Sequence, residues 1–367
     1  MVDIREDPVR PGLLYAGTET GAYVSFKAGE SWQSLQRNLP PVIVMQMVVK
    51  DNDLVVATHG RGFWIMDNIS SLRRITPEVV SAPVHLFEVA PALRQLRGGR
   101  GWTGMRSSES GKNPPRGVMI EYYLAQAPAN EVMLTITDAS GEIIQQFSSG
   151  SEENPNPPTK AGMNRFLWDM RYPGIQLPPS AGALTGFQSV DHSPPLPPIA
   201  PPGQYFVRLT VDGQAYEQPF EIRKDPRVKA SDTDLRAQFE LMVDIRDRVS
   251  EVADVVIKIR DVRGQLNGRR AELSEKSRVE ADRILEQLRE IEGNLTIWMG
   301  SQAHPMMWGP LGLIEKLSRL SGAVVCADAK PTEPMYAVFE DLSKRFEVQR
   351  NRLNQVIEKE VVLLLSY

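Results

Sequence analysis

At Asp225-Pro226 the chain changes its hydrophobic period, and that change constrains its fold more than any other feature. Before this point apolar residues come in short β-rich runs separated by Gly and Asn/Asp turns, the pattern of antiparallel strands. After it, Leu235, Phe239, Met242, Val249, Val252, Val256, Ile259 and Leu266 fall on one helical stripe, with Ile245 and Val262 beside them. Ser231 or Asp232 can cap the start of that helix, and Gly264 and Gly268 bracket its end. Ala281, Ile284, Leu288, Ile291, Leu295 and Trp298 form a second stripe, weakened near its end by Gly293. Phe339, Leu342, Phe346, Leu353 and Val356 form a third. A loop over Gly300 to Pro310 leads into a short helix over Leu311 to Leu320. Stripes of this kind, with charged outer faces, predict an antiparallel helical bundle over 226–367.

The β-rich part divides again. In residues 1–80, Leu13 to Thr18 leads through Glu19-Thr20-Gly21 into Ala22 to Phe26, and Trp32 to Leu35 follows. A second unit has strands at Val42 to Val49, Leu54 to Thr58 and Phe63 to Met66. The run Leu-Tyr-Ala-Gly-Thr-Glu-Thr-Gly aligns with Val-Val-Ala-Thr-His-Gly-Arg-Gly, an internal repeat of the kind that stacked β units show. Residues 84–225 carry strands at Gly117 to Leu124, Glu131 to Asp138, Ile143 to Phe147, Asn164 to Met170, Tyr205 to Val211 and Ala215 to Ile222. Asp212-Gly213 is a strong hairpin signal between the last two. This spacing predicts a small β-sandwich of immunoglobulin or fibronectin type. Gly98 to Arg116 and the Pro-rich insertion 173–202 interrupt it as expected loops.

Composition sets limits. A chain of 367 residues predicts two or three domains, and 41% hydrophobic residues give each one a core. A net charge of -4 argues against a nucleic-acid surface. No segment approaches the ~20 apolar residues of a membrane span, and the charged M-V-D-I-R-E-D-P start has no signal-peptide core. Cys326 is the single cysteine, and the apolar Ala323-Val324-Val325 run before it predicts a buried, inert thiol.

Thr58-His59-Gly60-Arg61-Gly62-Phe63-Trp64 is the local cluster best suited to a ligand. His59, Arg61 and Trp64 bring an imidazole, a guanidinium and an indole to one hairpin, a set that could hold an anion or a sugar. The plainer reading makes the glycines a tight turn, pairs Arg61 with an acid and places Trp64 in the core. His59, His85, His192 and His304 are scattered, so no metal site is expected, and no cofactor. No Gly-x-Ser-x-Gly, phosphate loop or dinucleotide fingerprint occurs. The carboxylate runs Glu286 to Glu292 and Glu358 to Glu360 read as solvated helix faces. The Arg-rich stretch Arg94 to Arg116 could touch an anionic partner but reads as a connector, and Trp298, Met299, Met306, Met307 and Trp308 as a satellite core under a loop.

Ser25-Phe26-Lys27-Ala28-Gly29-Glu30-Ser31-Trp32 resembles the Asp-box (BNR) hairpin S-x-D-x-G-x-T-W, with Lys27 in place of the aspartate. With Gly12 to Glu19, Asp53 to Trp64, Asn113-Pro114-Pro115, Asn164 to Asp169, Pro202-Gly203-Gln204-Tyr205 and Pro331-Thr332, the chain resembles the C-terminal region of bacterial BNR-repeat propeller proteins, labelled glycosyl hydrolase or sortilin-like. The resemblance implies that residues 1–80 are the last blades of an incomplete β-propeller, partnered by upstream blades. In it Ser25, Gly29 and Trp32 are structural, and the module is non-catalytic, with a protein or glycan partner. The alternatives it implies are part of a secreted glycoside hydrolase, sialidase- or xyloglucanase-like with catalytic residues upstream, or of a sortilin-like peptide-binding propeller. It suggests an extracellular or periplasmic setting.

Overall fold

The computed structural model describes residues 2–95, 116–152, 155–175, 197–296 and 311–361. It is a mixed structure of several β-sheets and a C-terminal helical region. Two compact units divide it: Met1–Pro91 with Ser107–Trp168 and Gln204–Phe220, and Ala92–Arg106 with Asp169–Gly203 and Glu221–Tyr367.

In the first unit, strands β1 (Asp3–Glu6), β2 (Leu14–Gly17), β3 (Ala22–Ser25) and β4 (Gln33–Ser34) form an antiparallel sheet in that order. Strands β5 (Val44–Lys50), β6 (Asp53–Thr58) and β7 (Phe63–Met66) form a second. The two share a core in which Leu13, Tyr15 and Val24 meet Val44, Met47, Leu54 and Val56. Strand β1 has no apolar alternation to announce it. Its charged side chains are used in pairing instead: Met47 N donates to Asp3 Oδ2 at 2.7 Å, and Arg5 Nε to Met47 O at 2.9 Å.

The hairpins of the two sheets close in the same way. Thr18 N and Oγ1 both donate to Gly21 O, at 2.9 and 3.0 Å. Thr58 N and Oγ1 both donate to Gly62 O, at 3.1 and 2.7 Å. The second turn is one residue longer, so Thr18 matches Thr58 and Gly21 matches Gly62. Tyr15 opposite Val24 then corresponds to Val55 opposite Ile65.

A one-turn helix, α1 (Pro77–Ser81), starts at Thr76, whose side chain accepts from Val79 N at 3.4 Å. It leads to β8 (Val84–Leu86) and β9 (Ala92–Arg94). Then come β10 (Val118–Leu124), β11 (Met133–Asp138), β12 (Ile143–Ser148), β13 (Gly162–Trp168), β14 (Gly203–Val211) and β15 (Gln214–Lys224). One sheet has the order β13-β10-β8 and another β12-β11-β14-β15-β9. Trp168 of the first meets Tyr205 and Phe220 of the second edge-on, at 6.2 and 6.0 Å between ring centroids. Such pairs add about 0.5–1.5 kcal/mol to the burial of the rings.

In the second unit β9 runs parallel to the end of β15, Ala92 opposite Ile222 and Arg94 opposite Lys224. Helices α2 (Asp232–Arg269), α3 (Glu275–Leu295), α4 (Leu313–Val324) and α5 (Glu333–Val356) bury their stripes in one shared core. Ser231 is the cap of α2, in a reciprocal box: Asp234 N donates to Ser231 Oγ at 3.1 Å and Ser231 N to Asp234 Oδ2 at 3.0 Å.

Three expectations are corrected here. Arg94, read as the start of a connector, is instead the buried last residue of β9, held by strand pairing with β15 and by Asp328. Helix α2 runs through Gly264 and Gly268 to Arg269 rather than stopping between them. Two helical glycines cost about 2 kcal/mol together, and burying Leu266 between them offsets that with about 1.5–3 kcal/mol, so the helix continues. Cys326 is exposed, not buried. The buried stripe of α4 ends at Val324 and the helix caps at Val325, which carries Cys326 past the core. The satellite core around Trp298 and Trp308, and the loops 98–115 and 176–196, lie outside the described residues.

Candidate functional site

The hairpin between β6 and β7 carries the three side chains singled out for ligand binding. Gly60 and Gly62 hold φ values of +81° and +68°, with open space where a Cβ would stand. Glycine adopts this conformation without the steric cost other residues meet. The backbone N–H of His59 donates to Ile43 O at 2.9 Å. The side chains of His59 and Arg61 are exposed, and Arg61 makes no ion pair among the described residues. Trp64 is half-buried against the shared core, and its indole N–H donates to Arg61 O at 3.1 Å. The hairpin thus brings the three residues together, but commits the indole donor to the turn itself. What is left for a ligand is an imidazole and a guanidinium facing solvent.

The stretch from Ser25 to Trp32 is a turn held by one buried hydroxyl. Ser25 Oγ accepts from Gly29 N at 2.9 Å and from Lys27 N at 3.3 Å. Ala28 and Gly29 take positive φ, +49° and +94°, and the Lys27 side chain is exposed. An alanine-type Cβ at Gly29 would lie 3.6 Å from Leu14 Cδ1 and 3.9 Å from Trp32 Cζ2, ordinary contact distances. Backbone conformation rather than space favours glycine at that position. Trp32 itself is half-buried.

Ionisable groups removed from water were not legible as sites in the sequence. Asp7 accepts from the N–H groups of Val9 and Arg10 (2.9 and 3.0 Å), from Arg73 Nε (2.9 Å) and from the Tyr15 hydroxyl (3.2 Å). Burial alone would raise the Asp7 pKa, but these donors, Arg73 first, outweigh it and hold the carboxyl below its ordinary value. Burial and then the neighbouring Asp7 charge push the Tyr15 phenol up. Arg165 joins Glu121 (2.7 Å) and donates to the carbonyls of Asp67 and Asn68 (3.2 and 3.0 Å). Asp67 is the exception in this unit: burial, followed by the charge of Asp53, raises its pKa.

In the second unit Glu292 is buried between Arg260, at 2.7 Å, and Arg263. Arg94 is buried as well, bonded to Asp328 and, at 3.0 Å, to Gln238 Oε1. The amide nitrogen of Gln238 in turn donates to Val324 O and Ala327 O, both at 2.7 Å. All five buried charged side chains among the described residues (Asp7, Arg94, Glu121, Asp225 and Glu292) are engaged in ion pairs. Among the described residues no group of His, Cys, Asp and Glu is placed to hold a metal ion, and no helix is long and apolar enough to cross a membrane.

No protein-family model and no curated protein matches the chain. Among solved structures it is similar to a chain titled pT26-6p, at 9% identity, over 63% of this chain and 45% of that one. The TM-score of 0.13 is too low to argue a shared fold.

Proposed function

We propose that this chain is a non-catalytic structural and interaction module of a BNR-repeat propeller protein, with β1–β7 as stacked blade-like units. In this reading the facing sheets joined through Trp168 are an immunoglobulin-like sandwich and the C-terminal helices an antiparallel bundle. The observation that carries it is the engagement of all five buried charged side chains, among the described residues, in internal ion pairs. A catalytic acid or base needs a perturbed carboxyl that faces substrate; charges spent on each other serve packing. The Ser25-held turn and the repeated Thr–Gly hairpins support the blade reading.

One observation favours a second reading, in which the chain supplies a wall of a glycosidase cleft. Asp67 keeps its proton to higher pH beside Asp53, and glycoside hydrolysis uses two carboxyls in different protonation states. The test is a panel of aryl glycosides offered to the purified chain. No turnover is expected. Hydrolysis that disappears in Asp67→Asn would replace the first reading with the second.

A further inference from the structure

The turn between β6 and β7 ends the second sheet in an apolar tip bordered by cations. Thr58 pairs with Val44 and Phe63 with Ala57, and His59 N donates to Ile43 O at 2.9 Å. This register places Ile43, Met45, His59, Arg61 and Phe63 at one end of the sheet. The apolar members are bare: Phe63 is 79% exposed, Met45 50% and Ile43 37%. Ile65, 58% exposed, continues the row from Phe63. Nothing stands within 4 Å of where a Cβ would sit on Gly60 or Gly62, so the turn itself projects into solvent. Exposed apolar side chains grouped beside polar ones mark an interaction surface.

Charge selects the partner. Residues 39–50 and 54–66 contain no Asp or Glu, and the exposed Arg61 makes no ion pair among the described residues. Gln36 Nε2 donates to Thr20 O at 3.1 Å, and Val44 N to Thr18 O, which brings the exposed Arg37 to the same end alongside Glu19. Charge alone would suit any polyanion, but exposed Phe, Met and Ile beside it call for an apolar phase as well. The turn also pairs its own backbone: Thr58 N and Oγ1 donate to Gly62 O, and the Trp64 indole to Arg61 O. Polar groups paired in this way enter a poorly hydrated layer at less cost. We infer that this tip contacts the surface of a bilayer containing anionic lipid. Phe63, Met45 and Ile43 enter the boundary between headgroups and acyl chains, with Arg61 and His59 at the level of the phosphates. Aromatic side chains favour that boundary, and an anionic leaflet attracts each guanidinium near it.

The probes are vesicles of phosphatidylcholine with phosphatidylserine and vesicles of phosphatidylcholine alone, each sedimented with the full-length chain. Saturable binding to the anionic vesicles is expected, and added salt should weaken it. Arg61→Gln is expected to bind about fivefold more weakly, the effect of one charge near the surface. Phe63→Ser is expected to bind at least about tenfold more weakly, the effect of one apolar side chain left in water. Both variants change exposed side chains and are checked for folding by circular dichroism. Val348→Ser, exposed on α5, is expected to bind as the wild type does. No binding, equal binding to the two kinds of vesicle, or equal binding by all the variants overturns the inference. Binding weakened in Arg61→Gln but not in Phe63→Ser would also overturn it, naming a polyanion as the partner. Self-association without lipid that Phe63→Ser abolishes would overturn it in favour of a second copy. Lipid binding neither requires nor excludes catalysis, so the vesicle assay and the glycoside panel fail independently.

Discussion

Asp7 carries more interactions than any other carboxylate in the first unit, and they set a pH dependence. Its pKa is depressed in the folded chain because Arg73 and two backbone N–H groups outweigh burial. A depressed carboxylate contributes stability that is fully present above its unfolded pKa and is lost as pH falls through the folded one. The Asp7→Asn variant is therefore expected to be less stable at pH 7 by about 3 kcal/mol, the scale of breaking a buried pair. The deficit should shrink below about pH 4, where the Asp7 carboxylate of the unfolded chain begins to take up its proton while the folded one still resists it. Urea unfolding at pH 7 and pH 3 measures both; a deficit that is equal at the two values would remove Asp7 from this role. The carboxylate's importance was not legible in M-V-D-I-R-E-D-P, because Arg73 lies 66 residues away and long-range pairing leaves no local pattern.

Elements with strong local patterns were legible and those made by their neighbours were not. The stripe of α2 follows from periodicity alone, and the strand at Phe63–Met66 from a short apolar run after the His59–Gly62 turn signal. Strands β1, D-I-R-E, and β9, A-L-R, have no alternation to read; tertiary pairing makes them strands. The hairpin cluster at His59, Arg61 and Trp64 was readable as a grouping, but the use of the indole N–H within the turn was not. Caps belong with the legible features, since their chemistry is local. Ser231→Ala removes the acceptor for Asp234 N and the hydroxyl that donates to Asp234 Oδ2 at 2.7 Å, while the backbone N–H of residue 231 still donates to that carboxylate. A loss of about 1 kcal/mol is expected in thermal unfolding. A change under a few tenths would mean that helix packing, not the box, fixes the start of α2.

For the whole molecule, protection from hydrogen exchange should be uneven. Helices α2 to α5 bury continuous stripes in a common core. The second sheet, by contrast, leaves Phe63 and Ile65 in water and carries its Trp64 and Met66 half-buried. Residues 1–80, and β7 first among them, are expected to exchange ahead of the helices. Equal protection in both would contradict the account of a bare face. Arg94 sets the timing of another event. Its partners Gln238 and Asp328 lie 144 and 234 residues further along the chain. During synthesis the guanidinium leaves the ribosome long before either partner exists, so it stays hydrated even once β9 can pair with β15. Burial of that charge with both partners can come only after α2 and the segment beyond α4 have been made, which places it late in folding.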